Sequence, residues 1–231
     1  VGIETGDPRD FKTYEELFEA YKKQLHYMVD VKVRGNAIIE KICAEHMPCP
    51  LMSSIVDDCI AKGKDYQRGG YNTRYIQGVG IGTITDSLAA IKYNVFDNEK
   101  FSMDTLLKAM EANFEGYEAE LNMVKNKTPK YGNDDDYADD IMKEVFNLYH
   151  GEVTGRPTVN GGHYRVDMLP TTCHVYFGEV MGASPNGRLA EKPVSEGISP
   201  EKGGDTNGPT AVIKSCAKMD HLITGGTLLN Q

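Results

Sequence analysis

Between His163 and Gly204 the sequence joins a short strand pattern to a long run of turn-forming residues. Polar and apolar residues alternate from His163 to Met168, which is the period-2 pattern of a strand with one buried face. Pro170 removes a backbone donor and ends that pattern. Ser184–Gly187 has the composition of a tight turn, and further glycines and prolines follow it. The segment leaves little room for a helix, and so much irregular backbone predicts the lining of a site.

Four reactive side chains follow the predicted strand directly: Thr171, Thr172, Cys173 and His174. A rigid strand end can hold hydroxyl, thiol and imidazole groups over a pocket. Cys173 and His174 have the composition of a nucleophile and its base. However, adjacent residues seldom present both side chains to one point. We therefore expect a small buried cysteine and a hydrogen-bonded structural histidine.

Arg188 follows the tight turn and has two interpretations. Its guanidinium can bind a substrate carboxylate with two parallel hydrogen bonds. Alternatively, it holds its own loop through a neighbouring acid such as Glu196. We favour the role within the loop.

Composition excludes several classes of partner. The chain has 231 residues, 40% of them hydrophobic, and a net charge of -9 with scattered cations, so we expect neither a nucleic-acid partner nor a membrane. No run of roughly 18 apolar residues and no export signal are present. The five cysteines are irregularly spaced, which favours reduced thiols over a disulfide framework and predicts a cytoplasmic protein.

The first helix is marked by a capping box. Thr13 and Glu16 have the required spacing, and apolar residues then recur at helical intervals. The pattern predicts a long packing helix with a break near Gly35, ended by Pro48 and Pro50.

Two polar clusters have the composition of metal sites. Cys43, His46 and Cys49 match C-x2-H-x2-C, but a fourth ligand is not nearby and prolines interrupt the geometry. The aspartates at 134–136, with Asp139, fit a magnesium-diphosphate motif, yet the second acidic motif that such a site needs is missing. We expect both clusters to be structural, and the aspartates to occupy the first turn of a helix.

A glycine-rich loop at residues 78–82 joins a predicted strand, 74–77, to a helix that starts near Thr85. This order is compatible with a phosphate site, but G-x-G-x-G lacks the dinucleotide spacing. We expect instead that the glycines allow the chain to cross close beneath another backbone.

Ser102 caps a further helix, whose apolar residues predict a continuous scaffold element from Met103 to Val124. Helices thus alternate with short strands that end in glycine-rich loops. This alternation predicts a mixed α/β fold with its active face at the strand ends.

Several spaced segments resemble glycyl radical enzymes, which are similar to pyruvate formate lyase. The matching runs are TGDPRDFKTYEEL from Thr5, YGNDDDYADD from Tyr131, MGASPNGRLAEKPVSEGISP from Met181 and GGDTNGPTAVIKSCAKMDH from Gly203. Within the family, the resemblance is strongest to members that dehydrate a hydroxylated proline. It covers essentially the whole chain.

The resemblance implies a ten-stranded α/β barrel built from two five-stranded halves with helices outside. Residues 1–231 would form part of the second half-barrel with surrounding helices. The thiyl-forming cysteine and its glutamate are expected before Val1, and the radical domain with its glycine after Gln231, so no catalytic residue is expected within the chain. A partial barrel would leave apolar surface and strand edges uncovered.

The resemblance also implies the chemistry. A radical SAM activating enzyme installs a glycyl radical under anaerobic conditions, no other cofactor is bound, and a cysteine thiyl then takes a substrate hydrogen before hydroxyl leaves. Trans-4-hydroxy-L-proline would give 1-pyrroline-5-carboxylate in a homo-oligomeric enzyme. Thr171 and then Thr172 are the implied substrate contacts, because the Pro-Thr-Thr run matches the substrate segment of those relatives.

Two alternatives stay open. One is another glycyl radical eliminase, acting on glycerol, propanediol or choline. The other is a noncatalytic barrel piece, from a split or decayed gene, that binds or packs against another polypeptide.

Overall fold

The computed structural model describes residues 2–169 and 171–230. In chain order, the helices and strands are α1 Tyr14–His46, α2 Pro50–Ile55, α3 Cys59–Lys62, β1 Arg74–Gln77, α4 Ile81–Ile91, α5 Met103–Glu111, α6 Glu118–Asn126, α7 Asp136–Val153, β2 Tyr164–Asp167, α8 Cys173–Glu179 and α9 Pro209–Ala217. No helix among them is long and apolar enough to span a bilayer.

The strands β1 and β2 pair in parallel, with Arg74 opposite Tyr164 and Gln77 opposite Asp167. The predicted alternation is confirmed, because Tyr164, Val166 and Met168 are each at most 1% exposed. Beyond β2, the Met168 amide donates to the Gly226 carbonyl (2.9 Å), so the end of the chain continues the sheet. Pro170, to which the strand's end is assigned, lies outside the described residues.

Helices α4 and α7 form the centre of the core and lie between the two strands in the sequence. Every residue of α4 except Ile84 is buried, and α7 buries a stripe that includes Val145 and Phe146. A parallel pair requires a long crossover, and these helices supply it and cover the sheet.

Helix α1 begins as predicted, because the Thr13 hydroxyl accepts from the Glu16 amide at 3.2 Å. The predicted break near Gly35 is wrong, since the helix continues to His46. One glycine within a helix costs only about 1 kcal/mol, which the flanking turns offset. The packing role holds for the first half only: Ile38 and Ile39 are 62% and 57% exposed.

The continuous helix predicted from Met103 to Val124 is also wrong. It divides into α5 and α6, because Asn113, Phe114 and Gly116 all have positive φ. This left-handed turn carries the Phe114 side chain into the core, where it is 2% exposed. Burial of one aromatic ring, worth about 2–3 kcal/mol, outweighs the helical preference of the intervening residues.

The segment after β2 also differs from its prediction, because it contains the two-turn helix α8. Gly178, in that helix, is buried, and a Cβ there would lie 2.2 Å from the Lys192 carbonyl oxygen. The helix is thus packed directly against the irregular chain that follows it. Turn-forming composition predicted the rest of the segment well, and α8 is held by this tertiary contact.

Candidate functional site

The irregular segment predicted to line a site surrounds a cavity of about 790 Å³. Its walls come mainly from residues 186–189, 192–196 and 199–205, with contributions from Lys125, Lys130, His174, Val175 and Asn230. The cavity therefore lies beside the first turn of α8. Much of residues 186–204, the second half of the segment predicted to line a site, thus lines this cavity; that the cavity is a functional site stays a prediction.

The segment is fixed to the start of α4 by reciprocal hydrogen bonds. Thr83 donates its amide to the Ser195 hydroxyl (3.0 Å), and Ser195 donates its amide to the Thr83 hydroxyl (2.8 Å). The Thr83 hydroxyl in turn donates to the Glu201 carboxylate. Ser195 accepts from two amides at this helix start, that of Thr83 through its hydroxyl and that of Gly80 through its carbonyl (3.1 Å), which disfavours a phosphate site in the glycine loop.

The glycines of that loop allow a close approach, as predicted. A Cβ on Gly82 would lie 2.7 Å from the Ser199 carbonyl oxygen and 3.0 Å from the Ser195 hydroxyl oxygen. Backbone lies on one side of this gap, so it can open only if the segment moves. Gly82 therefore sets the distance between α4 and the cavity wall.

Substitution Gly82→Ala should lower the free energy of unfolding by about 1–3 kcal/mol, because the new methyl group overpacks a backbone contact. Gly151→Ala in α7 is the matched control: no atom lies within 4 Å of its added Cβ. There, replacing an exposed helical glycine should stabilise by about 0.5–1 kcal/mol. Thermal unfolding midpoints of the two variants should shift in opposite directions, and a shared direction would contradict the close-packing argument.

Three ionisable side chains lie close together at the cavity wall: Asp86 and Lys130 are buried, and Glu201 is half-buried. Asp86 is 0% exposed; its Oδ1 accepts from the Tyr131 amide (2.9 Å), and its Oδ2 lies 3.8 Å from the Lys130 Nζ. Burial raises the pKa of Asp86 to about 7, although Lys130 opposes the shift. Burial also raises the pKa of Glu201, against the hydrogen bond from Thr83. The site thus has carboxyl groups that hold protons unusually tightly.

Arg188 holds its own loop, as predicted, but through carbonyl groups rather than through Glu196. Its guanidinium donates to Leu189 O (3.0 Å), Lys192 O (2.6 Å) and Gly182 O, and to the Ser184 hydroxyl (3.1 Å). These contacts commit the guanidinium to residues 182–192. Arg188 therefore shapes the cavity wall and is not positioned as a carboxylate clamp.

The structure places Thr171 and Thr172 between the end of β2 and α8, where both are exposed. They are not among the residues that line the cavity, although His174, one turn later, is. Thr171 has a φ of 53°, a left-handed conformation that a β-branched residue rarely adopts. Their assignment as substrate contacts stays a prediction.

His174 is a hydrogen-bonded histidine, as predicted: its Nδ1 lies 3.0 Å from the Thr171 carbonyl oxygen. Cys173 is half-buried rather than fully buried, because it occupies the first turn of α8 near the surface. The imidazole is thus committed to the backbone before it, which disfavours a role as a base for the adjacent thiol.

The acidic cluster before α7 is neutralised by lysines. Asp135 caps the helix by accepting from the Tyr137 amide (3.0 Å), so the first turn contains Asp136 and Asp139 rather than all three aspartates of the run. Lys218 lies 2.7 Å from the carboxylates of both Asp136 and Asp139. In the described ranges 2–169 and 171–230, no group of three His, Cys, Asp or Glu side chains is placed to hold a metal.

Sequence reasoning missed all three residues of this cluster as site residues: Asp86, Lys130 and Glu201. One signal was available for Asp86: it is the one charged residue of α4, and a buried charge requires a partner. No signal of that kind marks Lys130, which follows a loop and reaches Asp86 only through the fold.

Comparison with known proteins gives two family matches. A family model described as pyruvate formate lyase-like matches residues 1–178, and a model described as glycine radical matches residues 194–231. The first covers most of the chain. The second covers the segment that forms most of the cavity wall and α9.

Individual relatives agree with these matches. The chain is 83% identical to trans-4-hydroxy-L-proline dehydratase of Clostridioides difficile, across 100% of the chain and 30% of the relative. A crystal structure of hydroxyproline dehydratase from that organism, with trans-4-hydroxy-L-proline bound, superposes with a TM-score of 0.96 at 84% identity, covering 100% of the chain and 29% of that protein.

A glycerol-bound B12-independent glycerol dehydratase from Clostridium butyricum superposes with a TM-score of 0.93 at 39% identity, over 100% of the chain and 30% of the enzyme. The fold predicted from the resemblance, a segment of a glycyl radical enzyme barrel with surrounding helices, is confirmed by these superpositions. The chain spans about 30% of the length of these relatives.

Proposed function

The chain belongs to the pyruvate formate lyase-like family, and we propose from that premise that the protein containing it dehydrates trans-4-hydroxy-L-proline to 1-pyrroline-5-carboxylate. The observation that carries the proposal is the identity to the hydroxyproline dehydratase, which holds across the whole chain. The sequence identity to the glycerol dehydratase is 39%, about half that value, which makes a diol substrate the second candidate.

The proposed reaction removes one water from the substrate and needs no external oxidant or reductant. A thiyl radical takes a hydrogen atom from the substrate, the hydroxyl leaves as water together with a proton lost by the substrate, and the thiol returns the hydrogen atom to the product radical, so the atoms and electrons balance. The glycine radical match supports a protein-based radical, and we propose that a radical SAM enzyme installs it. Residues 2–169 and 171–230 contribute the cavity wall, the packed core beneath it and the strand end that carries Thr171.

The division into domains is also a proposal. Sequence reasoning assigns residues 1–231 to one barrel domain that the radical domain follows. The glycine radical match supports grouping residues 194–231 with the radical domain instead. Their contacts with the barrel, through Ser195 and Glu201 on Thr83, would then be part of the interface between the two.

The remaining expectations complete the proposal: a homo-oligomeric, cytoplasmic enzyme with a small-molecule substrate. The five cysteines are all unpaired in the structure, which supports a reducing compartment. The zwitterionic substrate needs a partner for its amine, its carboxylate and its hydroxyl, and a neutral threonine hydroxyl is able to serve any of them.

The direct test is anaerobic activation of the purified protein with a radical SAM activating enzyme. Electron paramagnetic resonance counts the glycyl radical, and product assays compare hydroxyproline with glycerol, propane-1,2-diol and choline. We expect turnover of hydroxyproline to 1-pyrroline-5-carboxylate. Radical-loaded protein that converts only a diol or choline would assign it to the second candidate, and failure to load any radical would favour the noncatalytic alternative.

Thr171→Ala should reduce kcat/KM for hydroxyproline, because the hydroxyl proposed to contact the substrate is lost. One neutral hydrogen bond is worth about 0.5–1.5 kcal/mol, and more if it meets a charged substrate group. Thr171→Ser retains the hydroxyl and should keep most activity, while the radical signal should match wild type in both variants. Unchanged turnover in Thr171→Ala would remove Thr171 from the substrate site.

A further inference from the structure

The backbone at Thr171 adopts a conformation that its own sequence does not favour. Its φ of 53° lies in the left-handed region, where a β-branched side chain crowds the backbone. Such a conformation costs about 1–3 kcal/mol and persists only where surrounding contacts enforce it. Something near Thr171 must therefore hold the turn between β2 and α8.

The His174 side chain is placed to do this. Its Nδ1 lies 3.0 Å from the Thr171 carbonyl oxygen, three residues earlier. A carbonyl oxygen only accepts, so the proton of a neutral imidazole must reside on Nδ1, and Nε2 is then left as an acceptor. The ring closes the turn that begins at Thr171 and fixes the direction of that peptide group.

His174 is itself held from the opposite side of the site. Its carbonyl oxygen accepts from the Val194 amide at 3.2 Å, and its half-buried side chain lines the cavity. Val194 in turn packs closely on the loop before α4, since a Cβ on Gly80 would lie 3.2 Å from it. The histidine thus connects the end of β2 to the start of the segment that forms the cavity wall.

We propose that His174 is a positioning residue for substrate binding: its Nδ1–H holds the Thr171 carbonyl and thereby directs the Thr171 hydroxyl toward the substrate. The inference rests on the proposed function, because Thr171 matters only if it contacts hydroxyproline. His174 itself does not contact the reacting atoms in this scheme. Its effect should pass entirely through Thr171.

The test uses three substitutions in the full-length, radical-loaded enzyme. Asn places an amide nitrogen at the same number of bonds from Cα as the Nδ1 of histidine, whereas Gln matches Nε2, and Leu has a similar volume without a donor. We expect kcat/KM for hydroxyproline to fall roughly 2- to 12-fold in His174→Gln and His174→Leu, the loss of one neutral hydrogen bond. His174→Asn should retain most of the wild-type kcat/KM. Radical content should be equal in all variants.

A double-mutant cycle separates positioning from general packing. If His174 acts through Thr171, His174→Leu should have little further effect in the Thr171→Ala background. Additive losses, or equal impairment in the Asn, Gln and Leu variants, would overturn the inference, as would wild-type kinetics in all three. If the radical-loaded wild-type enzyme does not convert hydroxyproline, the proposed function itself is wrong. The two failures are therefore distinguishable.

Discussion

Replacing Lys218 with Met should weaken the contact between α7 and the end of α9 by about 3 kcal/mol, near the lower bound for breaking a buried ion pair. Lys218 lies 2.7 Å from the Asp139 carboxylate, which is 0% exposed in its side chain. The Lys218 side chain is itself 23% exposed, so water partly solvates it in the native state but reaches Asp139 far less. Among the side chains of the described residues, the substitution leaves this buried carboxylate with the Ser215 hydroxyl (2.8 Å) as its hydrogen-bond donor.

The loss of stability caused by Lys218→Met should increase as the pH rises. Burial already raises the pKa of Asp139, although Lys218 and Ser215 oppose the shift. Without Lys218 that pKa rises further, so more protons remain bound in the folded state than in the unfolded state. Stability is then lost as pH rises, and the deficit should be small near pH 4 and grow toward neutral pH.

The matched control is Lys214→Met, one turn earlier in α9. Lys214 is 62% exposed and pairs with Asp134 at 3.0 Å, so water and salt already screen the interaction. Lys214→Met should therefore change the stability of the contact between α7 and α9 little. Hydrogen exchange of amides in α7 and α9, measured in the protein that contains the chain, reports the local opening free energy of each variant. Equal losses of stability in Lys218→Met and Lys214→Met would contradict the proposed role of the Lys218–Asp139 pair. So would a loss in Lys218→Met that does not change with pH.

Local signals predicted the starts of α1 and α5, whereas α4 begins at Ile81, four residues before the predicted start near Thr85. Thr13 and Ser102 each accept a hydrogen bond from an amide three residues ahead, and such caps depend only on neighbours in the sequence. The wrong predictions have the opposite origin. The turn at Phe114 exists because its ring reaches a distant part of the core, and no local pattern encodes that destination.

The site shows the same division. Turn-forming composition located the cavity wall because glycine and proline act through their own backbone. The buried cluster was missed because Asp86 and Lys130 come from a helix and from a loop 44 residues later, and only the fold brings them within 3.8 Å. The strain at Thr171 was also inaccessible, since nothing in a Thr-Thr pair predicts a positive φ.

Asp86 should make the folded state progressively less stable as pH rises from about 4 to about 7. Its pKa is raised by burial from 3.8 to about 7, with Lys130 and the Tyr131 amide opposing the shift and the charges of Glu201 and Asp139 adding to it. Between these values the unfolded chain has released the proton and the folded chain retains it. The contribution of Asp86 to the free energy of unfolding is therefore fully present below about pH 4 and is lost as the pH rises toward 7.

The size of this loss follows from the width of the window. Each pH unit within it costs up to about 1.4 kcal/mol, so the full loss at Asp86 is about 4 kcal/mol, an order-of-magnitude figure. Asp86→Asn keeps the oxygen that accepts from the Tyr131 amide and removes the titration. The dependence of local stability on pH should consequently become flatter by up to about 1.4 kcal/mol per pH unit between pH 5 and 6.5. The slope is the informative quantity, because Asn also removes the carboxylate that faces Lys130.

Asp140→Asn in α7 is the matched control, since that carboxylate is 66% exposed and pairs with Lys143 at the surface. It should keep the wild-type slope. Hydrogen exchange of amides in α4 and in residues 199–205, followed from pH 5 to 8 after correction for intrinsic exchange rates, measures both variants. Those residues form the cavity wall above Asp86, so loss of protection there at higher pH would connect the buried carboxyl to the site. An Asp86→Asn slope equal to that of wild type would show that Asp86 does not hold its proton in the folded protein.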